Sequence, residues 1–397
     1  MVLAIGVWPF AQAQTFKVIH TFTGDGDGAN PSAGLTIRAG NLYGTAYNGG
    51  NGNGAVYEIT RLGENWVTIP LSIFSAGGAH PRARVVFGPD GHLYGTTSAG
   101  GRYGQGTAFK LIPPLTVCKT ANCFWVEEEL HQFGNGGFFP GYGDLAFDQQ
   151  GDIYSTTEGA GNFIWGVVYQ LQHSSNWEER DIHLFQFFPC CGPGGGIPES
   201  GVIFDNNGNL FGTTTRGGLY DNCYEKCGTA FELTYPGWGE TVAYNFQNGS
   251  DGSYPIAGLT FDNAGNLFGA TSDGGMAGGG TVFELSPSGN TWTFTLLYSL
   301  SGTPGQNCGP WGSLTIDAAG NLYGTTRCDG AHNLGNVFKL GKTENGWAYS
   351  SLHDFTGGND GANPISNVTI DPNNGSLYGT ASAGGSQGVG VVWMITP

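Results

Sequence analysis

Residues 260–285, with the sequence TFDNAGNLFGATSDGGMAGGGTVFEL, contain a pattern that recurs along the whole chain. Its centre is Leu267-Phe268-Gly269-Ala270, a tetrapeptide of the form Leu or Ile, aromatic, small, Thr or Ala. The same form occurs at seven places, with the aromatic residues Tyr43, Tyr94, Tyr154, Phe211, Phe268, Tyr323 and Tyr378. Successive aromatic residues are 51 to 60 positions apart, which is too long for a helical or leucine-rich solenoid and typical of propeller blades.

Three further features have the same period. A proline opens each unit, at Pro31, Pro81, Pro140, Pro198, Pro255, Pro310 and Pro364. A second aromatic residue follows the tetrapeptide, at Tyr57, Phe109, Tyr169, Phe231, Phe283, Phe338 and Trp393. A tryptophan precedes a Phe or Leu by eight positions in six units, at Trp66, Trp125, Trp177, Trp238, Trp292 and Trp347. Because these tryptophans keep the repeat phase so strictly, we expect them to be structural.

Each unit is predicted to form four short strands, because aromatic and β-branched residues alternate with polar ones between glycine-rich turns. In the fifth unit the predicted strands are 257–261, 266–270, 280–285 and 291–297. The first turn has the form D-x-x-G, in which Asp accepts backbone N–H bonds and Gly supplies a positive φ. These turns begin at Asp148, Asp205, Asp262 and Asp317, and a version one residue longer begins at Asp371. No amphipathic helix is predicted.

The two ends of the chain complement each other. The last unit stops after its third strand, whereas segment 14–22 has the form of the missing fourth strand, with Phe22 in the position of Phe74 and Phe355. Gln14 stands where the tryptophan would be. A ring closed by this segment leaves no exposed sheet edge at the seam. We therefore predict an all-β, seven-bladed β-propeller of four-stranded antiparallel blades, in which the N-terminal strand completes the last blade.

On this prediction, residues 14–397 form a single propeller with 14–22 as its closing strand. The blades lie near 31–74, 81–133, 140–187, 198–246, 255–300, 310–355 and 364–397.

Composition narrows the possible functions. Charged residues are only 11% of the chain and aromatic residues are 13%, the reverse of a disordered protein. A net charge of −17, with 14 Lys+Arg, argues against a nucleic-acid partner, whose phosphates require a basic patch. No apolar run is long enough to span a membrane. We expect a monomer.

Export is predicted from the N-terminus and from the cysteines. Residues 1–13 are mostly apolar and end in Ala11-Gln12-Ala13, a small-x-small cleavage pattern, so they resemble the remnant of a signal peptide. The alternative is an ordered N-terminal strand. The eight cysteines indicate disulfides in a secreted protein, and they are Cys118, Cys123, Cys190, Cys191, Cys223, Cys227, Cys308 and Cys328. Their pairing stays open, and the alternative use is a zinc site at Cys223, Cys227 and Cys190-Cys191.

The repeat also resembles a known family. The order G-x-x-D-G-x-x-P, G-N-L-Y-G-T-T-x-x-G-G, G-x-V-F-x-L and then Trp with a distal Phe is similar to the bacterial GloVer tandem repeat, over nearly all of residues 14–397. The resemblance implies an extracellular repeat protein and brings no catalytic residues with it. Relatives of that kind carry C-terminal surface anchors, and because this chain ends at Pro397 without one, we expect free secretion.

Binding residues are expected on the propeller face formed by the 4–1 and 2–3 loops, since variable loops on a rigid scaffold usually carry function. Aromatic rings with few charges nearby suit sugar rings, whose C–H faces stack on them. The candidate platform consists of Tyr103, Phe138, Phe139, Tyr142, Phe163, Trp165, Tyr220 and Tyr224. The alternative is that these rings fill the space between blades.

A possible metal site is the Asp-Gly loop before the opening proline. Carboxylates in a glycine-rich loop can ligate Ca²⁺, and the candidates are Asp25, Asp27, Asp251 and Asp360. The alternative is that these residues cap turns. No other cofactor is expected.

Evidence for catalysis is weak. The chain lacks G-x-S-x-G, H-E-x-x-H and a phosphate loop, and the first strands offer no evident reactive group to the channel. Paired carboxylates for glycoside cleavage could come from Asp144, Glu158, Asp221, Asp273 or Asp329. The leading hypothesis is a secreted, non-catalytic propeller that binds extracellular glycans or cell-surface polymers. The alternatives are a secreted carbohydrate-active hydrolase or lyase using the same face, and a structural matrix protein.

Overall fold

The computed structural model describes residues 14–75, 77–114, 124–134, 139–159, 164–186, 192–344 and 346–397. These residues form seven antiparallel sheets, each built around four strands, and the predicted propeller is confirmed. The predicted signal-peptide remnant and Cys118, Cys123, Cys190 and Cys191 lie outside the described residues. Within the described ranges, no helix is long and apolar enough to cross a membrane.

The strands are grouped by their order within a blade. The innermost are β2 (Thr36–Arg38), β6 (Val86–Phe87), β11 (Ala146–Phe147), β15 (Ile203–Phe204), β19 (Thr260–Phe261), β23 (Thr315–Ile316) and β27 (Thr369–Ile370). The second are β3 (Asn41–Ala46), β7 (Leu93–Thr96), β12 (Ile153–Glu158), β16 (Leu210–Thr214), β20 (Leu267–Thr271), β24 (Leu322–Thr326) and β28 (Leu377–Ala381). The third are β4 (Ala55–Leu62), β8 (Thr107–Ile112), β13 (Ile164–Gln172), β17 (Thr229–Thr234), β21 (Gly278–Ser288), β25 (Asn336–Thr343) and β29 (Val391–Thr396). The outermost are β1 (Thr15–Thr21), β5 (Asn65–Ile73), β9 (Val126–Gln132), β14 (Glu178–Gln186), β18 (Gly239–Asn245), β22 (Thr291–Ser301) and β26 (Gly346–Asp354).

Two short elements depart from this scheme. Blade 3 carries an additional strand, β10 (Phe139–Pro140), which pairs with β12. A single 3₁₀ turn, His173–Ser175, connects β13 to β14.

The small residue of the tetrapeptide is required by close packing within each blade. In blade 5, Gly269 pairs across the sheet with Phe283, whose side chain is fully buried. A Cβ atom on Gly269 would lie 2.4 Å from the Phe283 ring. The third-strand aromatic therefore lies flat across the second strand only because the residue opposite it is small.

The repeated tryptophans join neighbouring blades. Each of these six tryptophans lies on an outermost strand or directly before it, and contacts the tetrapeptide aromatic of the preceding blade, with ring centroids 5.5 to 6.2 Å apart. The pairs are Trp66 with Tyr378, Trp125 with Tyr43, Trp177 with Tyr94, Trp238 with Tyr154, Trp292 with Phe211, and Trp347 with Phe268. Such pairs add about 0.5–1.5 kcal/mol each beyond area burial. The predicted structural role is confirmed.

The ring closes as predicted, with β1 as the outer strand of the last blade. It pairs antiparallel with β29, from Thr15 opposite Thr396 to Thr21 opposite Val391. Phe22 is fully buried and its ring centroid is 5.1 Å from that of Tyr57, in blade 1. Across the same seam Thr380 donates a hydrogen bond of 2.9 Å to the Ala33 carbonyl.

The predicted turns are confirmed, whereas some strand bounds are different. Asp262 accepts hydrogen bonds of 2.9 and 2.8 Å from the N–H groups of Ala264 and Asn266, and Gly265 has φ +87°. The innermost strand of blade 5 is shorter than the predicted 257–261. One reason is that the Ala257 carbonyl accepts a bond from Thr213 of the neighbouring blade, at 3.0 Å, rather than from its own sheet.

We expect Phe22→Ala to lower the free energy of unfolding by about 3–5 kcal/mol, as for a fully buried aromatic in any domain interior. Urea unfolding followed by tryptophan fluorescence measures this. Lys17→Ala, on an exposed position of β1, which ends directly before Phe22, is the control and should change stability by less than about 0.5 kcal/mol. Equal, small effects of both substitutions would show that the terminal strand does not hold the ring.

Candidate binding site at the channel mouth

The innermost strands surround a central channel that contains a cavity of about 900 Å³. Its lining extends from residues just after the opening prolines, such as Ser32 and Trp311, to first-turn residues on the opposite face, such as Asp317 and Asp371. We call the end bordered by the 4–1 and 2–3 loops the channel mouth.

Two repeat positions meet at the mouth, and both carry unusual side chains. The first directly follows the opening proline and is occupied by Ser32, Arg82, Glu199, Ile256, Trp311 and Ile365, while a one-residue insertion in blade 3 places Tyr142 there. The second position is two residues after the end of the tetrapeptide. It is occupied by Tyr47, Ser98, Glu158, Thr215, Ser272, Arg327 and Ser382. The serines at the second position donate to the carbonyl of the residue before the proline, at 2.8–2.9 Å. Tyr47, Glu158 and Arg327 therefore replace a residue whose role is structural.

Arg82 is the centre of a charged and aromatic cluster on one side of the mouth. Its Nη1 lies 3.5 Å from Glu158 Oε1, and its guanidinium carbon is 5.6 Å and 5.3 Å from the ring centroids of Tyr47 and Tyr142. Nearby, Arg84 forms a 2.7 Å ion pair with Asp144. These contacts bring residues of blades 1, 2 and 3 into one site.

Two glutamates lie close together in this cluster. A Cβ on Gly141 would be 2.8 Å from Glu158 Oε1 and 3.1 Å from the Glu199 carbonyl, so this glycine makes room for the carboxylate. Burial raises the pKa of Glu158 above its usual range, against the opposing charge of Arg82. Burial raises the pKa of Glu199 to about 7, and the charge of Glu158 adds to the rise. Near neutral pH, Glu199 is therefore partly protonated beside Glu158.

Two aromatic rings approach each other across the mouth. Tyr142 of blade 3 meets Trp311 of blade 6 edge to face, with ring centroids 6.0 Å apart. The Trp311 indole N–H donates to the Asn307 carbonyl at 3.1 Å, and the Arg327 guanidinium lies 4.8 Å from its ring. Both aromatic side chains are half-buried, so each presents part of its surface to the mouth.

A second cavity, of about 740 Å³, lies in the loops of blades 4 to 6, and we call it the loop groove. Its lining includes Arg216, Tyr224, Tyr254, Asp273 and Asn307. Disulfides join Cys223 to Cys227 and Cys308 to Cys328, and both lie in loops of this face. Because Cys223 and Cys227 bond to each other, the structure gives no support to the alternative of a zinc site.

The predicted aromatic platform is only partly on this surface. Tyr142 lies at the mouth, Tyr220 and Tyr224 are exposed in the blade 4 loop, and Tyr103 is 46% exposed in the blade 2 loop. Trp165 is instead buried in the core between blades 3 and 4, so its role is packing. Phe138 and Phe163 lie outside the described residues, and for Phe139 only the backbone, in β10, is described.

The candidate calcium ligands occupy equivalent turns of separate blades. Asp27 accepts hydrogen bonds from the Thr23 N–H at 2.9 Å and from His20 at 3.1 Å. Asp360 likewise accepts hydrogen bonds from the Thr356 N–H and from His353. Asp251 accepts hydrogen bonds from the N–H groups of Gln247 and Gly249 and from the Tyr244 hydroxyl. Asp25 lies in the same loop as Asp27. Within the described ranges no group of three or more His, Cys, Asp or Glu side chains is arranged to hold a metal, and calcium binding stays a prediction.

The structure separates most of the candidate acidic residues. Asp144 and Glu158 are at the mouth, each paired with an arginine. Asp221 is exposed beside Lys226 at 3.6 Å, and Asp329 is buried and accepts from Ser301 at 2.8 Å. Asp273 lines the loop groove.

Sequence reasoning missed Arg82, Glu199, Arg216 and Trp311. For the channel it expected no evident reactive group on the first strands, whereas Arg82 and Trp311 reach the lining from the loops before those strands, directly after the opening prolines. The available signal was the variation of this one position within an otherwise regular repeat.

The raised pKa of Glu199 predicts a pH-dependent stability. A carboxyl that keeps its proton longer in the folded than in the unfolded chain makes folding less favourable as pH rises from about 4.5 to about 7. Glu199→Gln removes this penalty. The free energy of unfolding of the variant, relative to that of the wild type, should therefore rise by roughly 3 kcal/mol from about pH 4 to about pH 8. Urea unfolding of both proteins at the two pH values measures it. A stability difference that is the same at both would contradict the burial of Glu199.

The comparisons with known proteins agree with this fold. A sequence profile of the Gloeobacter/Verrucomicrobia repeat matches residues 7–224 and 198–397, and no curated protein matches the chain. Among solved structures, a Bacteroides fragilis protein described as a "putative 6-phosphogluconolactonase" is 16% identical, with TM-score 0.52 and 88% of each chain covered. A protein of unknown function from Dyadobacter fermentans is 9% identical, with TM-score 0.45, covering 97% of this chain and 99% of that one. TolB from Acinetobacter baumannii is 13% identical, with TM-score 0.44, covering 79% of this chain and 64% of that one.

At 16% identity, the likeness to the Bacteroides fragilis protein concerns the fold alone. The family match covers nearly the whole chain and agrees with the seven repeated blades. The chain therefore belongs to the Gloeobacter/Verrucomicrobia repeat family.

Proposed function

We propose that this protein is a secreted binding propeller that recognises a glycan or cell-surface polymer at the channel mouth. The observation that carries the proposal is the Tyr142–Trp311 pair across the opening, with charged side chains beside it at positions where other blades carry a structural serine or an aliphatic residue. Other blades form the same scaffold without these side chains, so the fold itself does not require them.

The chemistry of the mouth suits a carbohydrate. Partly exposed aromatic faces can stack against the C–H surface of a sugar ring, and a few converging polar groups fix its orientation. Arg82 and Glu158 supply a donor and an acceptor next to Tyr142. A purely apolar ligand would cover these polar groups without adding hydrogen bonds to them, at a cost in free energy.

Export is part of the proposal and is supported by the two disulfides. Such bonds form and persist in oxidising compartments outside the cytosol. They join loops of the proposed binding face, so the surface that meets the ligand is also covalently restrained.

A second candidate function, carbohydrate cleavage, is favoured by the two glutamates. A carboxyl with a pKa near 7 can act as a general acid at neutral pH while a neighbouring carboxylate acts as base or nucleophile. Glu199, with a pKa raised to about 7, and Glu158 fit these roles by their environments.

Binding can be tested on an array of neutral and acidic polysaccharides. We expect Tyr142→Ala and Trp311→Ala each to weaken the wild-type binding by about tenfold or more, because a stacking surface is lost. Phe124→Ala removes a ring that is 47% exposed in the turn before β9, on the opposite face, and serves as the control.

Unchanged binding in both mouth variants, or a loss in the Phe124 control as large as theirs, would reject the mouth as the site. The bound polysaccharides are also analysed for new chain ends. Cleavage that disappears in Glu158→Gln and Glu199→Gln would establish the second function.

A further inference from the structure

Four of the arginines on the binding face, apart from the exposed Arg102, fall into two pairs with different surroundings. Arg82 and Arg84 each face a carboxylate, at 3.5 and 2.7 Å. Arg216 and Arg327 have no carboxylate within the 4.0 Å of an ion pair among the residues that the structure describes. In a chain of net charge −17, two half-buried arginines without a paired acid are unexpected, because burying an unpaired charge is costly.

Both of these guanidinium groups are held in place by aromatic rings. Arg216 lies over Tyr254, with its guanidinium carbon 4.3 Å from the ring centroid, and its Nη1 donates to the Tyr224 carbonyl at 3.0 Å. Arg327 lies over Trp311 at 4.8 Å. A guanidinium has five N–H donors, so a ring contact and one hydrogen bond leave a fixed, planar fork with donors to spare.

Asn307 connects the two arginines. It lines the loop groove together with Arg216, and its carbonyl accepts the indole N–H of Trp311, the ring that supports Arg327. The groove and the mouth are thus neighbouring parts of one surface. Tyr224, which is 75% exposed, adds an aromatic face at the groove.

None of the acidic groups described near Arg216 forms an ion pair with it. Glu199 interacts with Arg216, but burial raises the pKa of Glu199 to about 7, so it is only partly ionised at neutral pH. Asp273 also lines the groove, where its Oδ1 accepts from the N–H groups of Gly274 and Gly305, at 2.8 and 3.0 Å, rather than from Arg216. Asp221 is paired with Lys226.

We propose that Arg216 and Arg327 bind the oxyanion groups of an acidic saccharide, so that the ligand of this face is a carbohydrate chain bearing carboxylates or sulfates. This inference rests on the proposed glycan-binding function and names its ligand class. Planar guanidinium groups match both oxyanions with paired hydrogen bonds. An acidic sugar also has an apolar ring face, which can stack on Tyr224 or Tyr142 while the arginines bind its carboxylate or sulfate.

The test compares four probes by isothermal titration of the full chain at constant ionic strength. They are polygalacturonate, its methyl ester, dextran sulfate and dextran. The protein repels polyanions overall because of its net charge, so tight binding of an acidic probe must come from local contacts. We expect at least one acidic probe to bind about tenfold more tightly than its uncharged counterpart, and the preferred probe identifies carboxylate or sulfate as the group bound.

Variants of the two arginines assign the effect. Arg216→Gln and Arg327→Gln should each weaken binding of the acidic probe by about tenfold, as expected for a lost charged hydrogen bond. Neither substitution should change the affinity for the uncharged probe. Arg216→Lys keeps the positive charge but lacks the planar guanidinium, so its affinity for the acidic probe should lie between those of the wild type and Arg216→Gln. Arg61→Gln is the matched control, since Arg61 lies 4.6 Å over Trp66 on the opposite face, and it should have no effect.

The outcomes separate this inference from the function on which it rests. If acidic and uncharged probes bind equally and Tyr142→Ala still abolishes binding, the arginine site is wrong and the glycan site stands. If wild-type protein binds none of the four probes, the acidic ligand is rejected, and binding of another glycan on the array decides the wider proposal. Thermal unfolding of each variant shows whether a loss of binding reflects a loss of folding.

Discussion

The pairing of β1 with β29 is the constraint on which the rest of this structure depends. Backbone hydrogen bonds between the two ends of the chain complete the seventh sheet and turn a linear array of repeats into a ring. Once the ring is closed, every blade packs against two neighbours. Core clusters such as the one containing Phe22, Tyr57 and Tyr378 then bury side chains from both sides of the seam.

Closure also creates the proposed binding surface. Tyr142 and Trp311 belong to blades 3 and 6, and they meet only because the ring brings their loops to a common opening. The scaffold needs small, apolar or hydroxyl side chains at most of its repeated positions. Where a blade instead carries Arg82, Glu158 or Arg327, packing does not explain the residue, and these exceptions cluster at the mouth.

The fold could be predicted from the sequence because the same contact repeats in each blade. The tetrapeptide aromatic and the following tryptophan meet at six interfaces, so the sequence bears the period of the structure. Even the seam, where Gln14 replaces the tryptophan, was recognisable from the phase of Phe22. The innermost strand of blade 5 was predicted too long, since its backbone turns to bond a neighbouring blade, a contact that strand propensity does not contain.

The site was harder to predict, because it is made of exceptions to the repeat. Trp165 was a platform candidate, yet it is buried between two blades, in agreement with the alternative that such a ring fills the space there. Glu199 and Arg216 were not predicted as site residues. What marks them is the burial of Glu199 and the interaction between their charges, and both depend on the folded ring. Tyr142 was a candidate for the loop face and lies at the channel mouth, but Trp311, whose ring it contacts, lies far along the chain and was not a candidate.

Hydrogen exchange at the seam tests the closed ring most directly. Amides of Thr15–Thr21 that bond β29 are predicted to exchange as slowly as those of Asn65–Ile73, the corresponding outer strand of blade 1. Fast exchange in Thr15–Thr21 alone, with slow exchange in Asn65–Ile73, would show an open ring and would contradict the account.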